Sequence, residues 1–109
     1  MEFTKVQIGL FDGKNWSTWK YKMCILLRSI PGALEVVEGN LQNPKVLESG
    51  ATKEEKAKYD LDLAAFTKAD SSALIVITTN MTEETLQKVM RFTTARDVWL
   101  ELLRLYDAL

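Results

Sequence analysis

Between a turn signal at Asp12-Gly13 and a stop at Pro31-Gly32, apolar residues recur at Trp16, Trp19, Met23, Leu26, Leu27 and Ile30. At about 100° per residue they fall within an arc of roughly 100°, the stripe of a helix that buries one face. Strand pairing would scatter the same residues over both faces, so this stretch dictates an α-helical core. Asp12 and Asn15 carry short polar side chains suited to accept hydrogen bonds from the first helical N–H groups, so the spacing predicts a capped helix from near Asn15 to near Pro31-Gly32. Its far side is not plainly polar: Tyr21 and Ile25 lie one turn apart there, with Lys22 and Arg28 around them. That second apolar spot needs a cover, from inside the domain or from another molecule.

A chain of 109 residues, 47% of them hydrophobic, makes a single domain with a core of its own. One cysteine, Cys24, forbids an internal disulfide, and with no secretory h-region the chain reads as cytoplasmic or nuclear. No run approaches the roughly 20 apolar residues of a membrane crossing, so no membrane partner is expected. The absence of histidine removes the commonest general base and metal ligand, and Cys24 has no imidazole to deprotonate it. With no phosphate loop, nucleophile elbow or paired-carboxylate pattern, the expectation is a non-enzyme without cofactor or metal. Net charge is −1, and no segment is basic enough for many phosphate contacts.

Residues 1–10, with Phe3, Val6, Ile8 and Leu10, read as an extended arm laid on a helical lobe spanning 11–109. Ala33 to Val37 reads as one helical turn tucking Leu34 and Val37 under the first helix. Gly39 to Gly50 is a surface loop anchored by Leu41 and Val46. Thr52-Lys-Glu-Glu55 has capping-box spacing, so a long helix begins at Lys53. Tyr59, Leu63, Phe66, Ala73, Leu74 and Ile77 share one face of it. Ala65, Ala69, Ile75 and Val76 make its later turns apolar nearly all round, which predicts a central helix ending at a left-handed Asn80. Asp70 sits on its apolar face and needs a partner: an indole N–H, a cation, helix-end amides or water. Thr82 with Glu83 and Glu84 opens a short helix to Arg91, with Leu86, Val89 and Met90 inward. Thr94 and Asp97 cap a last helix that buries Ala95, Val98, Trp99, Leu102, Leu103, Leu105, Tyr106 and Leu109 and leaves Asp97, Glu101, Arg104 and Leu100 outside. The pattern stops at Leu109 without a capping glycine, which reads as a domain excised from a longer chain.

Three blocks, Phe11-x-Gly13-x-Asn15-Trp16-x-x-Trp19-x-x-x-Met23-x-x-x-Leu27, Phe66-x-Lys68-x-Asp70-x-x-Ala73-Leu74 and Ala95-x-x-Val98-Trp99-x-x-Leu102-x-x-x-Tyr106, follow one another over residues 11–107. Together they resemble the N-terminal capsid region of the Gag polyprotein of copia-type LTR retrotransposons, or of a host gene descended from one. The family often has tyrosine at the place of Trp16 and tryptophan at that of Phe66, exchanges that keep an aromatic anchor. The resemblance implies an all-α lobe, a compact bundle of about four to six helices like the N-terminal lobe of a retroviral capsid. It also implies self-assembly with other copies into a virus-like particle, a second capsid lobe, and RNA contacts mainly outside this chain.

The residues assigned as core anchors are Trp16, Trp19, Met23, Leu27, Phe66, Ala73, Ile77, Val98, Trp99, Leu102 and Tyr106, with Asp70 as a buried polar group. The candidate assembly surface is Tyr21, Ile25, Arg28 and Leu100, whose alternative role is packing inside the domain. The tryptophans have two readings, packing anchors or an aromatic cage for a cation. The rival functions are a monomeric or dimeric helical adaptor for a protein or peptide, and a nucleic-acid-binding helical domain, for which the bases on the first helix are too spread out.

Overall fold

The structure, a computed structural model, describes residues 8–107. Among these it is all-α, with five helices and no strand: α1 (Trp16–Arg28), α2 (Ala33–Glu38), α3 (Lys53–Thr79), α4 (Glu83–Gln87) and α5 (Ala95–Tyr106). The short α2 is the hub, packed on α1, α3 and α5, and α3 also lies against α5 and α1. Phe3, Val6 and Leu109 lie outside the described residues, and with them most of the expected arm. Of its described end, Ile8 is buried and Leu10 exposed, so the arm's expected alternation does not continue through Leu10.

Phe11 forms an isolated parallel bridge with Met81: its N–H donates to the Asn80 carbonyl and its own carbonyl accepts from Thr82, each at 2.9 Å. The Phe11 ring is thereby driven into the centre of the molecule, 4.9 Å from the Trp19 ring, 5.4 Å from Trp16 and 4.8 Å from Tyr106. Trp99 of α5 closes this aromatic cluster from the other side, 6.0 Å from Trp16 and 6.4 Å from Trp19. The polar edges of both α1 indoles are satisfied, Trp16 by Asp107 at 2.7 Å and Trp19 by the Asn80 carbonyl at 3.0 Å. Buried indoles in mutual contact are packing anchors, which excludes the cage reading.

The capping box and the two caps read from sequence are present, at Thr52–Glu55, Thr82 and Thr94. The start of α1 differs from expectation. Asn15 adopts the left-handed conformation (φ 58°) and its side chain accepts no capping hydrogen bond, while the Asp12 carboxylate accepts from the Lys14 N–H. Asparagine tolerates that conformation, and it turns the side chain away from the helical amides it was expected to meet. At the far end of α3, Asn80 is not left-handed (φ −107°); its amide instead donates back to the Val76 carbonyl.

α3 is less central than its composition suggests. Only Ala69, Ala73 and Ile77 are buried, no residue of its first three turns is, and Leu61 and Ile75 face outward. A helix of 27 residues is about 40 Å long, and its first turns run past the buried stretch, which leaves Leu61 outside; Ile75 lies between buried Ala73 and Ile77 but on the outer face. Small side chains line the buried stretch and let α2 approach closely. α4 stops at Gln87, not Arg91, and the following turns expose Met90 while Val89 is buried and Leu86 half-buried. In the loop, Leu41 is an anchor, but Val46 is exposed, and Pro44 and Leu47 are the half-buried residues.

Candidate interaction surface on the first and last helices

Of the assigned core anchors, nine are buried, whereas Phe66 and Tyr106 are half-buried against the core's rim. Their burial fixes which side of each helix is left outside. On α1 the outer residues Thr18, Tyr21, Ile25 and Arg28 follow at steps of three and four, one continuous ridge. Tyr21 is 69% exposed and Ile25 41%, and Arg28 is exposed at the end of the ridge. Among the described residues nothing packs over Tyr21 and Ile25 closely enough to bury them. α1 carries Lys20, Lys22 and Arg28 and no acid. Lys20 is held by Asp107 at 3.2 Å, which leaves Lys22 and Arg28 to set the sign of the ridge.

Beside the ridge, a shallow groove of about 210 Å³ runs between residues 9–12 and α1, with Leu10, Lys14, Thr18 and Lys22 on its walls. Leu100 stands apart, on the outer side of α5, 42% exposed. α1 and α5 touch through Trp16, Trp19 and Trp99.

Asp70 is half-buried, not buried, and accepts a hydrogen bond from the Ala95 N–H at 2.8 Å. Helix-end amides were one of its anticipated partners, and a carboxylate there also complements the positive end of α5. Arg96 secures the same helix start by donating to the Val37 carbonyl at 2.6 Å. Asp70 therefore positions α5 from α3, a structural task. Cys24 is half-buried, and burial pushes its thiol above the usual range, away from the nucleophilic thiolate.

Glu101 overturns its assignment to the wet side. It is 8% exposed, because Arg91 swings over from the turn after α4 to meet it at 3.1 Å while Arg104 grips it with two bonds, at 2.7 and 2.8 Å. The Arg104 hydrogen bonds lead in holding the Glu101 carboxyl down at about 2, against an ordinary 4.5, with Arg91 adding to them. An unfolded chain protonates this group sooner than the folded one, so its contribution to stability is present above pH 4.5 and lost as the pH falls toward 2. Asp107, lowered first by the Trp16 indole and then by Lys20, acts with the same sign. Glu101→Gln should accordingly show a shallower loss of urea-denaturation midpoint between pH 6 and pH 3 than the parent chain. An equal loss in both would assign the acid sensitivity elsewhere.

Phe11, Glu101 and Asp107 are the residues that sequence reasoning missed as structural groups. Phe11 had a signal, since it heads the first motif block, and so had the Glu101–Arg104 pair, three residues apart on one helix; Arg91 on Glu101 and the Trp16 and Lys20 partners of Asp107 had none, because they arrive from distant turns. Among the described residues no helix is long and apolar enough to cross a membrane. Comparison with protein-family models, curated proteins and solved structures finds no match.

Proposed function

We propose that the chain is a structural capsid-type domain that self-associates, within a copia-type Gag or a domesticated descendant, into a cytoplasmic shell packaging element RNA. The three motif blocks in order support the family, and one observation carries the activity: Tyr21 and Ile25 stand uncovered on a ridge of α1. Large apolar side chains left outside by a well-filled core are what a weak, repeated contact needs, and many such contacts add up by multivalency. A second capsid lobe and the main RNA-binding region belong to other parts of the polyprotein in this reading.

In a Gag carrying this lobe, Tyr21→Ala with Ile25→Glu is expected to leave the lobe folded by circular dichroism and to lower particle yield in electron micrographs several-fold. Normal yield from a normally folded lobe would remove the ridge from the assembly surface. The adaptor reading draws on a different feature, an apolar groove of about 310 Å³ between the α1–α2 turn and α3, walled by Ile30, Pro31, Leu41, Ala65 and Ala69. A parent protein that sediments only as monomer or dimer would favour that reading.

A further inference from the structure

We propose that Lys88, Arg91 and Arg104 form a receptor for a compact, multiply charged phosphate, free or as the tail of a nucleotide, where the turn after α4 meets α5. This site is independent of the self-association reading. Its starting observation is an imbalance of charge: the Arg91 and Arg104 guanidiniums both donate to one Glu101 oxygen, Oε2, at 3.1 and 2.7 Å. Lys88 brings a third cation, since its carbonyl accepts from Arg91 Nη1 at 2.9 Å and its ammonium lies 3.5 Å from the Tyr106 hydroxyl. The cations of all three residues thus gather around a single paired carboxylate.

The rest of the cluster holds these side chains in place. Buried Glu101 grips Arg104 by Nε and Nη2 and Arg91 by Nη2, while Arg91 lies 4.4 Å over the Phe92 ring and Lys88 5.9 Å over that of Tyr106. On the solvent side Arg104 Nη1 and Arg91 Nε have no acceptor among the described residues, and the two side chains are 66% and 61% exposed. Guanidinium forks fixed in advance lose little freedom per bond formed, and their spacing matches phosphate oxygens. A tetrahedral phosphate can offer separate oxygens to both forks and to the ammonium; a planar carboxylate reaches fewer.

The surroundings select a small ligand over a nucleic-acid strand. A strand needs a basic groove that tracks its backbone and open rings on which its bases stack. Here the bases gather at one spot, and the Phe92 and Tyr106 rings are half-buried under the cations. Asp97, one turn before Glu101, and Glu84, one turn before Lys88, are both exposed and in no ion pair among the described residues. They flank the cluster and oppose a long polyanion.

Titration of pyrophosphate into the whole chain, followed by backbone amide and arginine Nε–H NMR signals, tests the site. Shifts should gather at Lys88, Arg91, Glu101 and Arg104 with a Kd of about 0.1 to 1 mM in about 0.05 M NaCl, weakening at least about fivefold in about 0.5 M. Citrate, similar in charge near neutral pH but built of carboxylates, should bind at least about fivefold more weakly, and ADP should match pyrophosphate within about threefold. Lys88→Gln removes a cation outside the Glu101 pairs, so it should weaken pyrophosphate at least about threefold with the thermal midpoint unchanged. Arg104→Lys keeps the charge, loses the fork and should weaken binding as well. No saturable shift up to about 10 mM, equal shifts at Lys22 and Arg28, citrate as tight as pyrophosphate, or Lys88→Gln binding like the parent would each overturn the receptor. ADP or an oligouridylate binding more than about tenfold tighter than pyrophosphate would overturn recognition of the phosphate alone, the oligouridylate by assigning the cluster to nucleic acid.

Discussion

Phe11→Ala is expected to cost about 3–5 kcal/mol, the range for removing a buried aromatic ring, and to lower the thermal midpoint by at least about 12 °C. The ring is 1% exposed and touches Trp16, Trp19 and Tyr106 at once, so its loss opens a cavity at the place where α1, α5 and the entering chain meet. The surrounding indoles cannot collapse into that space without giving up their hydrogen bonds to Asp107 and Asn80. Tyr21→Ala supplies the contrast. It deletes an aromatic ring of similar size from an exposed position, and its effect should stay within about 0.5 kcal/mol. Equal losses at the two positions in thermal or urea unfolding would show that Phe11 is not the keystone of the aromatic cluster.

A second large loss is expected at Gly32, which turns the chain from α1 into α2 with φ 79°. Alanine there meets two separate costs. The left-handed backbone costs an L-residue about 1–2 kcal/mol. Its new Cβ would also stand 2.9 Å from the Ala69 Cβ and 3.3 Å from Leu41, and crowding of that kind costs typically about 1–3 kcal/mol. Because the Ala69 methyl is fixed to the α3 backbone it cannot swing aside, so the sum for Gly32→Ala is about 2–5 kcal/mol. Combining it with Ala69→Gly should relieve the crowding and leave the backbone cost, a coupling that a double-mutant cycle reads directly. Strict additivity of the two changes would place α2 farther from α3 than it stands here.

Those two positions also mark what the sequence reveals and what it hides. Features set by local spacing were legible: the α1 stripe, the Thr52 capping box and the Thr82 and Thr94 caps each depend on residues within one turn. Pro31-Gly32 was legible as a stop, but the reason only glycine fits, the Ala69 methyl beneath it, comes from a helix far along the chain. Helical periodicity gives a residue's angle on its own helix and nothing about what lies opposite. Glu101 was therefore assigned to solvent although Arg91 reaches across to cover it, and Met90 to the core although its turn bends outward. The apolar turns of α3 misled for a related reason, since its first turns run past the buried stretch and leave Leu61 uncovered, while Ile75 faces outward between buried Ala73 and Ile77. The α1 ridge was legible as an apolar spot opposite the core; that none of the other described helices covers it became visible only with those helices in place.

In the proposed self-association the outer face of α1 is a surface of contact and not of core. A dilution series of amide NMR spectra of the whole chain, from about 1 mM down to 0.05 mM, follows that face residue by residue on the concentration scale where weak contacts dissociate. Concentration-dependent shifts gathered around Thr18, Tyr21, Ile25 and Arg28, with the buried side of α1 at Trp19, Met23 and Leu27 nearly still, are the predicted result. Spectra that superimpose across the whole range, or shifts gathered on other helices with the α1 ridge unmoved, would contradict it.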